Sequence, residues 1–163
     1  MKTVAAAMML AASLTVVAAP ATAHADCGDP GQPDCTGPVP TVDQVVAIMA
    51  ELTDPNIPAV NKTDIVTPGF SPDEAGTIDD HLSRMNAHGG TLPLNFVVTD
   101  IQPVPNNSAG ATVTTVGSPR QHGPARPLVL VDQGGHWMIT HDSAAYQLEV
   151  FWSVARRHIA VIP

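Results

Sequence analysis

Apolar residues recur along this chain at two different periods, and the change of period divides it. From Thr41 to Leu52 the positions Val42, Val45, Val46, Met49 and Leu52 return every three or four residues, which predicts a helix with one buried face. Thr41-Val42-Asp43-Gln44 has the form of a capping box, with acceptors for the free N–H groups of the first turn. Pro55 ends this helix, because it disfavours helical geometry in the residue before it. A turn-rich connection follows through Asp54-Pro55-Asn56-Ile57-Pro58 and Asn61-Lys62, with Ile57, Val60, Ile65 and Val66 expected to pin it to the core. Ser71-Pro72-Asp73-Glu74 opens a second helix: Ser71 caps, Pro72 suits the first helical position, and the two acids complement the dipole. Ala75, Ile78, Leu82 and Met85 form its buried stripe, while Asp80 and Arg84 stand one turn apart on the wet side.

Beyond residue 92 the period becomes two. Leu94, Phe96 and Val98 alternate with Asn95, Val97 and Thr99, and the run ends near Gln102-Pro103. Pro105 to Gly110 reads as a turn, and Ala111 to Val116 as a returning strand. The strongest signal lies between Pro127 and Thr140, where two β-branched-rich runs flank a polar segment containing Gly134 and Gly135. That is a hairpin, since glycine takes the positive φ that tight reversals require. Asp142-Ser143 is expected to cap a closing helix whose apolar face is Ala145, Leu148, Phe151 and Trp152. The chain is therefore expected to be α+β, with N-terminal helices packed on a curved antiparallel sheet of about four strands and a closing C-terminal helix. Leu82, Met85, Phe96 and Trp137 are its expected structural core. A pocket is expected between sheet and helices, with Asp100 and Tyr146 as its polar groups.

Composition adds a compartment to this picture. Lys2 precedes the apolar run Val4 to Ala19, and small-residue cleavage sites follow at 21–23 and 23–25, so 1–25 reads as a signal peptide. Residues 26–40 form a Pro/Gly-rich lead-in, 41–155 a single α+β domain, and 156–163 a tail that is either an added strand or a loose end. In an oxidising compartment Cys27 and Cys35 are expected to form a disulfide closing a small loop. With seven Lys+Arg against fifteen Asp+Glu the chain repels phosphate backbones, which excludes nucleic acid as a partner. No further hydrophobic span follows the leader, so no stable membrane insertion is expected after processing, and the protein is placed outside the cell or at its envelope.

Candidate chemistry is sparse. His81 and His88 lie two turns apart on one helix, roughly 10 Å, too far for one metal to bridge unaided. His136 and His141 fall on opposite faces of one strand, because their separation is odd. Asp142-Ser143 with His141 has the letters of a triad without the strand-to-helix elbow a nucleophilic serine needs. No catalytic residue, metal site or cofactor is assigned.

Several segments together resemble the mycobacterial secreted low-molecular-weight antigen family. They are Asp54-Pro55-Asn56 with Asn61-Lys62, Leu92-Pro93-Leu94 leading to Val98-Thr99-Asp100-Ile101-Gln102-Pro103, Gln133-Gly134-Gly135 running to Trp137-Met138, and Ser143-Ala144. The likeness spans about Pro40 to Phe151 in order. His136 separates the glycines from Trp137, where the family runs directly into Trp, and the cysteine loop and the tail look like additions. The resemblance implies an exported protein recognised by host immunity, with no established biochemical activity. The order of elements also looks like the nuclear-transport-factor-2-like or cystatin-like superfold, which hosts isomerases, dehydratases and inert binding modules alike. The expected function is a non-enzymatic antigen-like protein binding a small apolar ligand or a protein partner. The alternative is a cofactor-free isomerase- or hydrolase-like enzyme using Asp100, Tyr146 or a histidine.

Overall fold

A computed structural model describes residues 27–87, 92–116 and 123–159. The signal peptide expected over 1–25 lies outside the described residues. Helix α1 spans Val42–Leu52, a 3₁₀ helix Ala59–Asp64, strand β1 Val66–Thr67, and helix α2 Pro72–Ala87. Strands β2 (Asn95–Val104), β3 (Ser108–Val116), β4 (Arg126–Asp132) and β5 (Trp137–Thr140) follow, and helix α3 covers His141–Ile159. The fold is α+β, as expected, with an open mixed sheet in the order β1-β5-β4-β3-β2. Four strands are antiparallel neighbours, and the fifth, β1, pairs parallel to β5. That fifth strand escapes sequence reading because it is two residues long and shows no alternation. What fixes it is long-range, the Ile139 N–H donating to Ile65 O at 2.8 Å.

Both early helices start as their sequences dictate. Thr41 Oγ1 accepts from Gln44 N at 3.2 Å and Gln44 Oε1 accepts from Thr41 N at 2.8 Å, closing the capping box. At α2 the Ser71 N–H and hydroxyl both donate to Glu74 Oε2, at 2.9 and 2.6 Å. The α2 stripe Ala75, Ile78, Leu82 and Met85 is buried, as expected. On α1 the buried face is Val45, Ile48, Met49 and Leu52, while Val42, expected inside, is exposed at the first turn. Val60 is likewise exposed. The 3₁₀ helix eclipses residues three apart, so Ala59, Lys62 and then Ile65 turn inward and Val60 turns out.

Trp137 sits in the core, 7 % exposed, opposite Asp132 across the β4–β5 hairpin. Gly134 and Gly135 take φ of +70° and +91°, and the Gly135 N–H donates to Asp132 Oδ1 at 2.6 Å. Phe96 is partly buried against the core cluster and meets Phe151 at 6.2 Å between ring centroids. β5 is shorter than β4, so the first half of β4 lacks a strand neighbour on that side. Helix α3 fills the gap: Ser143 Oγ accepts from Val129 N at 3.0 Å, and Gln147 Nε2 donates to Pro127 O at 3.1 Å. Ser143, expected as a helix cap, instead serves the sheet, one turn from the buried Gln147 on the same helix face. Ala144, Leu148 and Phe151 line the inner side of α3, and Ala145 stands only half-buried. The helix runs to Ile159, into the segment expected as a tail.

The Cys27–Cys35 disulfide is formed, with Cα atoms 4.9 Å apart, and it closes its loop ahead of the first helix. In β2 the pairing slips between Thr99 and Gln102, so one extra residue bulges against β3. Asp100 is that residue, exposed, at φ +54°, with its Oδ2 accepting from Thr99 Oγ1 at 3.0 Å.

Two stability outcomes follow from these positions. Trp137→Ala is expected to cost about 3–5 kcal/mol in urea unfolding, since it empties a core site under the hairpin. Asp100→Gly should be neutral or slightly stabilising, whereas Asp100→Val should cost about 1–2 kcal/mol, because a β-branched residue resists positive φ.

Candidate functional site

Among the described residues, a cleft of about 590 Å³ opens at the carbonyl ends of α1 and α2. One wall is the end of α1 and the turn after it, from Ala50 to Ile57. The other is Asn86 near the end of α2 together with Leu92, Pro93 and Leu94, which lead into β2. Ala50, Pro55, Ile57, Leu92, Pro93 and Leu94 make this surface mainly apolar, with Glu51 and Asp54 as its charged members among the described residues.

The turn owes its shape to Asp54. Its Oδ1 accepts from the N–H of Asn56 at 2.8 Å and from the Asn56 side-chain amide at 2.9 Å, the local bonding that makes Asp before Pro a turn former. Thr53, the residue after the last helical turn, donates its hydroxyl to Met49 O at 3.0 Å. Behind the same wall stands Lys62, with 0 % of its surface exposed. Its Nζ donates to Glu51 O at 2.5 Å and to Asp54 O at 3.0 Å. Glu51 O, which also accepts from Asp54 N at 3.2 Å, lies in the last turn of α1 and Asp54 O just beyond it, so the ammonium caps this helix end from the following segment. The last turn of α1 has no basic residue of its own. Asp79 of α2 completes the brace by accepting from Ala59 N at 2.8 Å, which fixes the start of the 3₁₀ helix.

Burial lowers the Lys62 pKa from its ordinary value of 10.5, and the carboxylates of Asp54, Glu51 and Asp79 partly oppose that shift. Sequence reading placed Lys62 in a turn and missed this role. The available signal was the spacing of Ala59, Lys62 and Ile65, three apart in a segment too short for an α-helix.

Asp100 and Tyr146, expected as the polar groups of a pocket, are not among the residues lining this cleft. Asp100 is occupied by the β2 bulge. Tyr146 lies on the outer side of α3, 47 % exposed, with the Arg126 guanidinium 5.6 Å from its ring centroid.

A second polar cluster joins the starts of α2 and α3. His141 Nε2 lies 3.2 Å from Glu74 Oε1, and the His141 ring packs 5.5 Å from that of Phe70. The Glu74 carboxyl is held below the usual carboxylate range, first by the hydroxyl and N–H of Ser71 and then by His141. Serine, glutamate and histidine stand in line here, but the carboxylate is in the middle. The serine hydroxyl meets only the carboxylate, a weak base held below its usual range, and the imidazole stands beyond it, so the order is not that of an activated nucleophile. His136 is used structurally, its Nε2–H donating to Asp64 O at 2.7 Å and tying the hairpin turn to the 3₁₀ helix. His81 stacks on Trp152 at 4.2 Å between ring centroids. Among the described residues no group of three or more His, Cys, Asp or Glu is placed to hold a metal ion, and no helix is long and apolar enough to cross a membrane.

Residues 38–151 match the family described as low molecular weight antigen MTB12, C-terminal domain. The chain is 38 % identical over 120 residues to the low molecular weight antigen MTB12 of Mycobacterium tuberculosis (strain CDC 1551 / Oshkosh), covering 74 % of this chain and 70 % of the relative. It is 30 % identical over 120 residues to the MTB12 homolog of Mycobacterium leprae (strain TN), covering 74 % and 71 %. A more distant relative of M. tuberculosis, named "Putative lipoprotein LppK", is 24 % identical over 110 residues, covering 66 % of this chain and 57 % of its own.

Replacing Lys62 tests the brace. Lys62→Met removes the ammonium donor from the Glu51 and Asp54 carbonyls and should lower stability by about 2 kcal/mol at neutral pH. In the window below 10.5 the unfolded chain keeps a proton on Lys62 that the folded chain gives up, so this lysine's contribution to stability rises with pH there. The gap in urea midpoint between wild type and Lys62→Met should therefore widen as pH climbs toward that value. A gap that narrows or stays flat would contradict a buried, destabilised ammonium.

Proposed function

We propose that this chain, which belongs to the low molecular weight antigen MTB12 C-terminal-domain family, is an exported antigen-type protein that binds a small apolar ligand in its cleft and catalyses no reaction. The observation that carries the binding reading is a convergence. Asp54-Pro55-Asn56 and Leu92-Pro93-Leu94 are two of the segments on which the family likeness rests, they are far apart in sequence, and they face each other across the cleft. Lys62, from a third such segment, braces one wall from behind. Segments tied to one another only through the fold converge on a surface that is concave, apolar and sparsely polar, the usual make-up of a ligand site.

The absence of catalysis in this reading rests on chemistry. A general acid or base must reach a substrate atom with a free polar group. Asp54 spends one carboxylate oxygen on its own turn, Glu74 and His141 spend their bonds on joining two helices, and the Glu51 carboxylate in the cleft faces the charge of the buried Lys62. Export is supported by the leader-like first residues and by the lipoprotein name of one relative.

The protein, expressed with its leader in a mycobacterial host, should accumulate in the medium with Asp26 as its first residue. Native mass spectrometry of that material should show a bound small molecule. Ile57→Lys, which sets a charge in the cleft, should abolish the adduct while shifting unfolding by no more than about 1 kcal/mol. A bare protein from wild-type medium would overturn the ligand reading, and retention in the cytoplasm would overturn export.

A further inference from the structure

Resting on the reading of the cleft as a ligand site, we infer that its ligand is an apolar amine, a hydrocarbon body carrying one cationic head. Three electrostatic features of the cleft point the same way. Among the described residues its charged lining side chains are both carboxylates, Glu51 and Asp54. Among the described residues no hydrogen bond or salt bridge engages the Glu51 carboxylate. Asn86, from the last turn of α2, brings the negative end of that helix dipole to one wall, while the carbonyl end of α1 at the other is capped from behind by Lys62.

The nearby cation offsets this field only in part, one ammonium against the carboxylates of Glu51, Asp54 and Asp79. Lys62 points its Nζ at the backbone carbonyls of Glu51 and Asp54 rather than at their carboxylates, and its side chain is fully buried. It caps the wall from the protein side and contributes no accessible positive group. The apolar part of the lining then accommodates the hydrocarbon, with Ile57, Leu92 and Leu94 as its main contacts. An anionic amphiphile meets the same apolar surface but the wrong sign of field. A neutral one gains from burial alone.

Three probes of equal chain length separate these contributions on the processed full chain, each used below its critical micelle concentration. They are decyltrimethylammonium, decyl maltoside and decyl sulfate, and the readout is methyl NMR of Ile57, Leu92 and Leu94 with affinities from the same titrations. Decyltrimethylammonium should bind about tenfold tighter than decyl maltoside, and decyl sulfate weakest. The Glu51→Gln/Asp54→Asn double variant keeps the size of both side chains and should bring the cationic and neutral probes to within about threefold. The chain is acidic overall, net −8, but that diffuse charge barely differs in the double variant, so the loss of preference assigns the effect to the cleft. Equal binding of the cationic and neutral probes by the wild type would overturn the amine inference and leave the cleft reading standing. The same holds if the double variant retains the preference. If no probe shifts the three methyl groups, the cleft reading itself fails.

Discussion

One ammonium group held out of water organises the first half of this domain. Lys62 joins the end of α1, the turn after it and the 3₁₀ helix into one unit, by donating to the carbonyls of Glu51 and Asp54. Ordering a lysine side chain and removing it from water both oppose folding. The arrangement survives because each cost is met locally. Two carbonyls accept from Nζ, three carboxylates lie near enough to favour its charge, and Asp79 fixes the helix that carries it. With this brace in place the chain can leave α1 sharply and still deliver Ile65 and Val66 to the edge of β5.

Much of the architecture is legible in the sequence, because its elements declare themselves locally. The capping box at Thr41, the cap at Ser71, the stripe through Ile78, Leu82 and Met85, and the glycine-bearing hairpin before Trp137 each follow from a short-range rule, and each is present. The features that sequence reading misses are those decided by distant partners. β1 exists only because Ile139 is alongside it. Ser143 leaves its expected capping role because β5 stops early and the Val129 N–H needs an acceptor.

The candidate site divides along the same line. Asp54, Leu92 and their neighbours stand out as sequence segments, but nothing in either segment announces the other across a cleft. Asp100 and Tyr146 attract notice as isolated polar groups near apolar runs. The bulge and the outward face of α3 give them other work. A carboxylate at positive φ looks like an active-site residue from composition and like a backbone device from geometry.

The bulge at Asp100 also bears on how copies of the protein behave toward one another. β2 is an outermost strand, and an uninterrupted ten-residue edge would offer a row of backbone donors and acceptors to any neighbouring chain. Asp100 breaks the regular spacing of that row and sets a charge on it, and Pro103 removes an N–H close by. The outer edge of the sheet thereby carries its own safeguard against growing into sheet-linked aggregates.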